Sequence, residues 1–190
     1  MDSAHRIVSS EAEELILVDE DDQEIGFLSK EECHNGRGQL HRAFSVFLFN
    51  ASGQLLLQQR SDSKRLWPGF WSNTCCSHPR RGESMSVATR RRLRDELNIE
   101  VSMEFIYKFS YTAEFGSTGS ENELCHVYLG LVDEAVAPNE HEISATRYLS
   151  AELLAHEFKE SPEHFTPWFK MEWLTLMEEY RDELSRYCHV

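Results

Sequence analysis

The segment Trp71-Ser72-Asn73-Thr74-Cys75-Cys76-Ser77-His78-Pro79 is followed by Arg90-Arg91-Arg92-Leu93-Arg94-Asp95-Glu96, which ends eighteen residues after His78. A thiol, an imidazole, a run of guanidiniums and a carboxylate so close together could hold a metal, hold an anion and move a proton. Cys76 lies beside the candidate ligand His78 and just ahead of an arginine-loaded helix, surroundings that would lower a thiol pKa and suit it to proton transfer. Cys75 competes with it by adjacency. The plainer reading of any cysteine here is a small buried hydrophobe, and Cys33, Cys125 and Cys188 are read that way.

Glu121-Asn122-Glu123 runs into the apolar stretch Leu124-Cys125-His126-Val127-Tyr128. In a strand, side chains two apart share a face, so two carboxylates would project together and ask for a cation. A solvated strand end is the bland alternative. The candidate nitrogen ligands are His34, His41 and His78, near loops or strand starts where side chains can converge. Imidazole suits manganese or zinc, and carboxylates suit magnesium or manganese.

Charge narrows the partners. A formal net charge of -14 argues against nucleic acid. Yet nine of the 19 Lys and Arg fall between Arg60 and Arg94, against two acidic residues there. That concentration fits a local anion site; a solvated helix face with pairs Arg91/Asp95 and Arg92/Glu96 would explain it more plainly.

The elements that must position these groups are legible from pattern. Strands are predicted at 14–18 and 25–28, with a loop at 34–38. Residues 43–49 and 54–60 flank Asn50-Ala51-Ser52-Gly53 as a hairpin. Ser84 caps a helix running to Leu97, stopped by Asn98. Strands follow at 104–111, 124–132 and 143–149, then a helix capped by Ser150. A long last helix starts at Thr166 and Pro167 and carries Trp168, Met171, Trp173, Leu174, Met177 and Leu184 as core material.

The result is an α+β fold with a mixed sheet. At 190 residues one domain is expected over 1–190, with its core at about 14–187 and residues 1–13 flexible. No leader or spanning segment is evident, so a cytoplasmic protein without a membrane partner is expected. Five cysteines, two of them adjacent and none in C-x2-C, point to reduced thiols. Monomer and homodimer stay equally open.

Ser77, Glu83, Arg91, Arg92, Leu93, Asp95, Glu96, Asn98 and Ile99 trace a Nudix box, G-x5-E-x7-R-E-U-x-E-E-x-G-U. Arg92 stands where that box has its first glutamate, which removes a metal carboxylate and adds a cation. Ser77 and Asn98 replace its glycines. With His34-x6-His41, Trp67-Pro68-Gly69-x-Trp71-x-Asn73, Cys76-x-His78-Pro79, Gly82-Glu83, Glu121-Asn122-Glu123 and Pro167-Trp168, the chain resembles the type I isopentenyl diphosphate isomerases, a Nudix-fold family.

The resemblance implies a Nudix-type mixed sheet sandwiched by helices. It also implies a 1,3-allylic proton shift between isopentenyl and dimethylallyl diphosphate through a tertiary carbocation-like state. By position Cys76 and Glu123 would be the acid/base pair, with Tyr111 as helper. His34, His41, His78, Glu121 and Glu123 would hold a tightly bound Mn2+, Zn2+ or Mg2+, and Glu96 would meet the Mg2+ that accompanies the diphosphate. Lys30, Arg60, Lys64 and Arg92 would bind phosphate oxygens. Trp168 would face the cation, and with Trp71 and Tyr111 would line a dry pocket. A diphosphohydrolase and a catalytically silent metal-binding domain are the alternatives.

Overall fold

The structure is a computed structural model that describes residues 6–189. Its centre is the strand β3 (His41–Phe49), whose apolar run HRAFSVFLF is buried on both faces. A strand covered on both sides reads as a near-continuous hydrophobic run. Alternation divides it: Ala43, Phe47 and Phe49 enter one core cluster, Phe44, Val46 and Leu48 the other.

Around β3 lie β1 (Glu14–Val18), β2 (Glu24–Ser29), β4 (Leu55–Arg60), β5 (Trp71–Ser72), β6 (Cys75–Ser77), β7 (Met103–Phe115), β8 (Gly119–Leu131) and β9 (Ile143–Leu149). β8 runs parallel to β3 over the register His41↔Glu123 to Phe49↔Leu131, and β7 is antiparallel to β8. β6 pairs with β3 at Phe44↔Ser77, Ser45↔Cys76 and Val46↔Cys75. The sheet is therefore mixed.

The hairpin predicted from residues 43–60 is corrected. β3 and β4 meet only at Phe49↔Leu55, after which β4 turns to β9 and β5. Local turn chemistry at Asn50 to Gly53 is as read, but β3 finds its long partner some eighty residues away in β8.

Helices cover the two faces. α2 (Met85–Leu97) has Ser84 accepting from Val87 N and Asn98 at φ 56, and it packs Ala88, Leu93 and Leu97 against Phe44 and Leu48. α4 (Pro167–Glu179) seats Trp168, Phe169, Trp173 and Leu176 on the face carrying Phe47 and Cys125. Burying each such phenylalanine is worth roughly 1.5–3 kcal/mol.

The last helix is not one run: it breaks at Tyr180, and Leu184 sits in the short α5 (Arg181–Leu184). Leu174 is exposed. Thr166 makes no side-chain cap; its hydroxyl meets Ser72 Oγ at 2.9 Å instead. α3 (Ala151–Glu160) is capped by Ser150 as expected.

A further short helix, α1 (Lys30–His34), stands ahead of the loop predicted at 34–38 and takes in its first residue, His34. Ser29 and Glu32 form a reciprocal capping box that fixes it. Gly119 opens β8 where a Cβ would collide with the His34 carbonyl oxygen, so α1 lies directly against the sheet. Of the lead expected to be flexible, residues 6–13 include a buried Val8 whose carbonyl accepts from Arg80 and Arg92; residues 1–5 lie outside the described part.

Asp22, in the left-handed turn between β1 and β2, receives Arg42 Nε at 2.7 Å and Lys108 Nζ at 3.0 Å. Burial raises its pKa, but the hydrogen bonds from Arg42 and Lys108 outweigh that and hold it below the usual value of 3.8. A depressed carboxyl stabilises the fold above its ordinary pKa and ceases to do so as pH falls through the folded value. Asp22→Asn should therefore cost roughly 1–2 kcal/mol at pH 7, with the gap closing in urea unfolding below about pH 4. A gap that widens in acid would contradict this.

Candidate active site

The sheet register brings the chemistry together. His41 lies opposite Glu123 across β3 and β8, and Tyr111 lies opposite Glu123 across β8 and β7. His34 arrives from the end of α1, and His78 follows directly on β6. The side-chain ligand atoms of His34, His41, His78, Glu121 and Glu123 all lie within 4.8 Å of one another. The solvated-strand reading of the two glutamates fails, since both are buried.

His34 Nδ1 is 2.6 Å from Lys30 O and His41 Nδ1 is 2.7 Å from Gln39 O. Carbonyls only accept, so each Nδ1 carries the proton and Nε2 is the free ligand atom. His34 Nε2 lies 2.8 Å from Glu121, and His78 Nε2 lies 2.8 Å from Glu123 Oε1. His41 Nε2 is buried with no hydrogen-bond partner. An orphaned buried nitrogen among three imidazoles and two carboxylates is what a divalent-cation site provides, so the donor set fits a metal.

Burial, and after it the neighbouring His34, lowers His41 to about 4, and burial with His41 and His34 lowers His78. Burial and Glu121 push Glu123 well up, whereas at Glu121 the raising effect of burial is outweighed by His34, leaving it at about 2. Tyr111 donates to Glu123 Oε2 at 2.6 Å.

Strand alternation separates the two cysteines. Cys75 is fully buried in the cluster under α2, with Phe44 and Leu93. Cys76 is half-buried and faces the cavity, packed against the other cluster. Its thiol donates to Asn73 Oδ1 at 2.8 Å and receives Trp168 Nε1 at 3.2 Å and Ser45 Oγ at 3.6 Å.

The expectation of a lowered thiol pKa is corrected: burial, and after it the nearby Glu172, pushes Cys76 up to about 12. The arginines are committed elsewhere, Arg91 to Glu83 in a two-point pair and Arg92 to Glu96 and Glu142. Arg91 does not pair with Asp95. Cys76 is therefore a thiol at neutral pH, ringed by donors that would accept it as a thiolate after proton loss.

One cavity of about 380 Å³ is lined by Cys76, Glu123 and Tyr111, by His34, His78 and Glu121, by Trp168, and by Lys30, Arg60, Lys64 and Arg92. His41, fully buried, is not among the lining residues. Glu96 is not among the lining residues, because it is buried against Arg92. Arg60 Nη2 donates to the Leu66 carbonyl at 2.8 Å and Nε to the Trp67 carbonyl at 3.0 Å, its guanidinium carbon 5.3 Å from the Trp168 ring centre. Lys30 pairs with Glu11 at 3.0 Å. Trp71 is stacked under Arg147 at 4.1 Å and does not line the cavity.

Sequence reasoning missed Glu142, Ser45 and Glu172, and quoted Asn73 in a motif without giving it a role. Glu142 stands immediately before β9, and its place at the start of a predicted strand was its only signal. Glu172 is wholly buried in α4, and burial raises it to about 8.

The fold and site define a Nudix protein whose box has traded a carboxylate for Arg92. The NUDIX domain family matches residues 39–169. Among solved structures, the Deinococcus radiodurans protein DR0079 is similar at 27% identity and a TM-score of 0.65, covering 78% of this chain and 90% of that one. A MutT protein of Methanosarcina mazei shares the fold at a TM-score of 0.57 and 18% identity, over 78% of this chain and 92% of that one.

Sequence relatives are closer. Isopentenyl-diphosphate Delta-isomerase 1 of Photorhabdus laumondii is 40% identical over 90% of this chain and 99% of its own length. Isopentenyl-diphosphate Delta-isomerase of Burkholderia multivorans is 42% identical over 83% of this chain and 89% of its own. The chain belongs to the isopentenyl-diphosphate Delta-isomerase family, within the NUDIX fold.

Proposed function

We propose that this protein interconverts isopentenyl diphosphate and dimethylallyl diphosphate, with Cys76 and Glu123 as the proton-transferring pair. The observation that carries this reading is that one cavity joins a protonated thiol, a tyrosine-bound carboxyl and a cationic end, in a chain of this family.

In the forward direction the Cys76 thiol gives its proton to the terminal CH2 carbon, whose double-bond electrons form the new C–H bond. Positive charge develops on the tertiary carbon. Glu123 takes a proton from the CH2 on the other side of that carbon, and the released electron pair becomes the new double bond. Ser45 and Trp168 donate to the sulfur as it gains charge, and Tyr111 holds Glu123 by Oε2. Trp168 and Tyr111, ring centres 6.3 Å apart, present aromatic surface that keeps water from the cation.

A divalent ion held by His34, His41, His78, Glu121 and Glu123, whether Mn2+, Zn2+ or Mg2+, would supply the positive charge that keeps Glu123 ionised as a base. His41→Ala should lower both bound metal and turnover. Elemental analysis showing wild-type metal in that variant would contradict the five-residue site.

Lys30, Arg60, Lys64 and Arg92 are the proposed diphosphate donors. Mg2+ arriving with the diphosphate is assigned to Glu96 by family resemblance; in this structure Glu96 accepts from Arg92 Nε at 2.8 Å. The test is incubation of the metal-loaded protein with isopentenyl diphosphate. Dimethylallyl diphosphate without free phosphate is the expected outcome, and released phosphate would favour a hydrolase instead.

A further inference from the structure

We infer that Glu142 is a positioning residue that locks Lys64 and Arg92, cations from separate elements, into one cradle for the diphosphate. The inference rests on the reading of those two side chains as diphosphate donors. A single carboxylate oxygen, Glu142 Oε2, accepts from both Lys64 Nζ and Arg92 Nη2, the latter at 3.0 Å. Lys64 comes from the loop after β4, Arg92 from the middle of α2, and all three line the cavity.

The segment carrying Glu142 is itself tied to both elements. Asn139 N donates to Glu96 O on α2, and Ser61 N donates to Glu142 O beside Lys64. Glu142 is 3% exposed, so its charge is desolvated and its geometry fixed. Burial raises its pKa, but Lys64 and Arg92 outweigh that and bring it to about 2, so it is an anion at any working pH.

A carboxylate inside an anion site is unfavourable for the anion by simple charge count. Two expectations therefore oppose one another. If Glu142 only neutralises its neighbours, removing its charge makes the site more positive and tightens diphosphate binding. If it positions them, removing it lets two like charges separate and weakens binding.

The experiment uses the full chain with Glu142→Gln, measuring steady-state turnover of isopentenyl diphosphate and calorimetric binding of inorganic pyrophosphate. We expect KM to rise about tenfold or more with kcat nearly unchanged, and pyrophosphate affinity to fall in parallel. Glu142→Asp, which keeps the charge but withdraws the oxygen by one methylene, should weaken both in the same direction. An unchanged or lower KM with unchanged or tighter pyrophosphate binding overturns the inference. Glu142→Asp decides the matter alone if the glutamine variant does not fold. Weakened pyrophosphate binding in a protein that never isomerises the substrate would uphold the cradle while rejecting the isomerase reading.

Discussion

Cys76→Ala is expected to reduce isomerisation by about 10²–10⁴-fold, the usual share of a positioned acid or base, while Cys75→Ala keeps most of the activity. The two thiols are neighbours in sequence but point to opposite faces of β6. Cys75 packs under α2 and touches no part of the cavity, so its loss is a packing defect of roughly 1–2 kcal/mol. Cys76 meets Asn73, Ser45 and the Trp168 ring nitrogen. Rates for both variants, set beside their melting temperatures, check this. Equal loss of activity from the two changes would show that the cavity-facing thiol is not the reacting one.

Glu123→Gln is the second large effect. Glutamine keeps the volume and can still meet Tyr111 and His78, but it cannot take a proton from carbon. Turnover should fall by about 10²–10⁴-fold, and bound metal should fall with it, because one of the five side chains proposed to hold the ion loses its charge. Tyr111→Phe removes only the hydrogen bond to Glu123 Oε2 and should cost far less, about tenfold. A Glu123→Gln enzyme retaining near wild-type kcat would remove Glu123 from the chemistry, whatever its metal content.

The sequence made some of this visible and hid the rest for physical reasons. The helix α2 was legible because its start, Ser84, and its stop, Asn98, have specific backbone preferences. The pairing of Glu121 with Glu123 was legible because strand periodicity is two. The parallel partnership of β3 and β8 was not, since nothing local records which distant strand will lie alongside, and the Asn50–Gly53 turn suggested a nearer partner. β5 and β6 have two and three residues, too short for any period, yet they carry Trp71 and Cys76. The thiol's pKa was misjudged because arginines close in sequence turned out to be paired with Glu83, Glu96 and Glu142. Glu142 itself looked like one more acid in an acidic chain until its oxygen was found between two cations.

In the proposed reaction a proton from the protein enters the terminal carbon while another leaves the neighbouring methylene. Metal-loaded enzyme should be given isopentenyl diphosphate in deuterated water and the product read by NMR after partial conversion. The expected product is dimethylallyl diphosphate carrying deuterium in the methyl group that began as the terminal CH2. Product whose methyl groups hold no solvent deuterium, or diphosphate released in place of product, would contradict it.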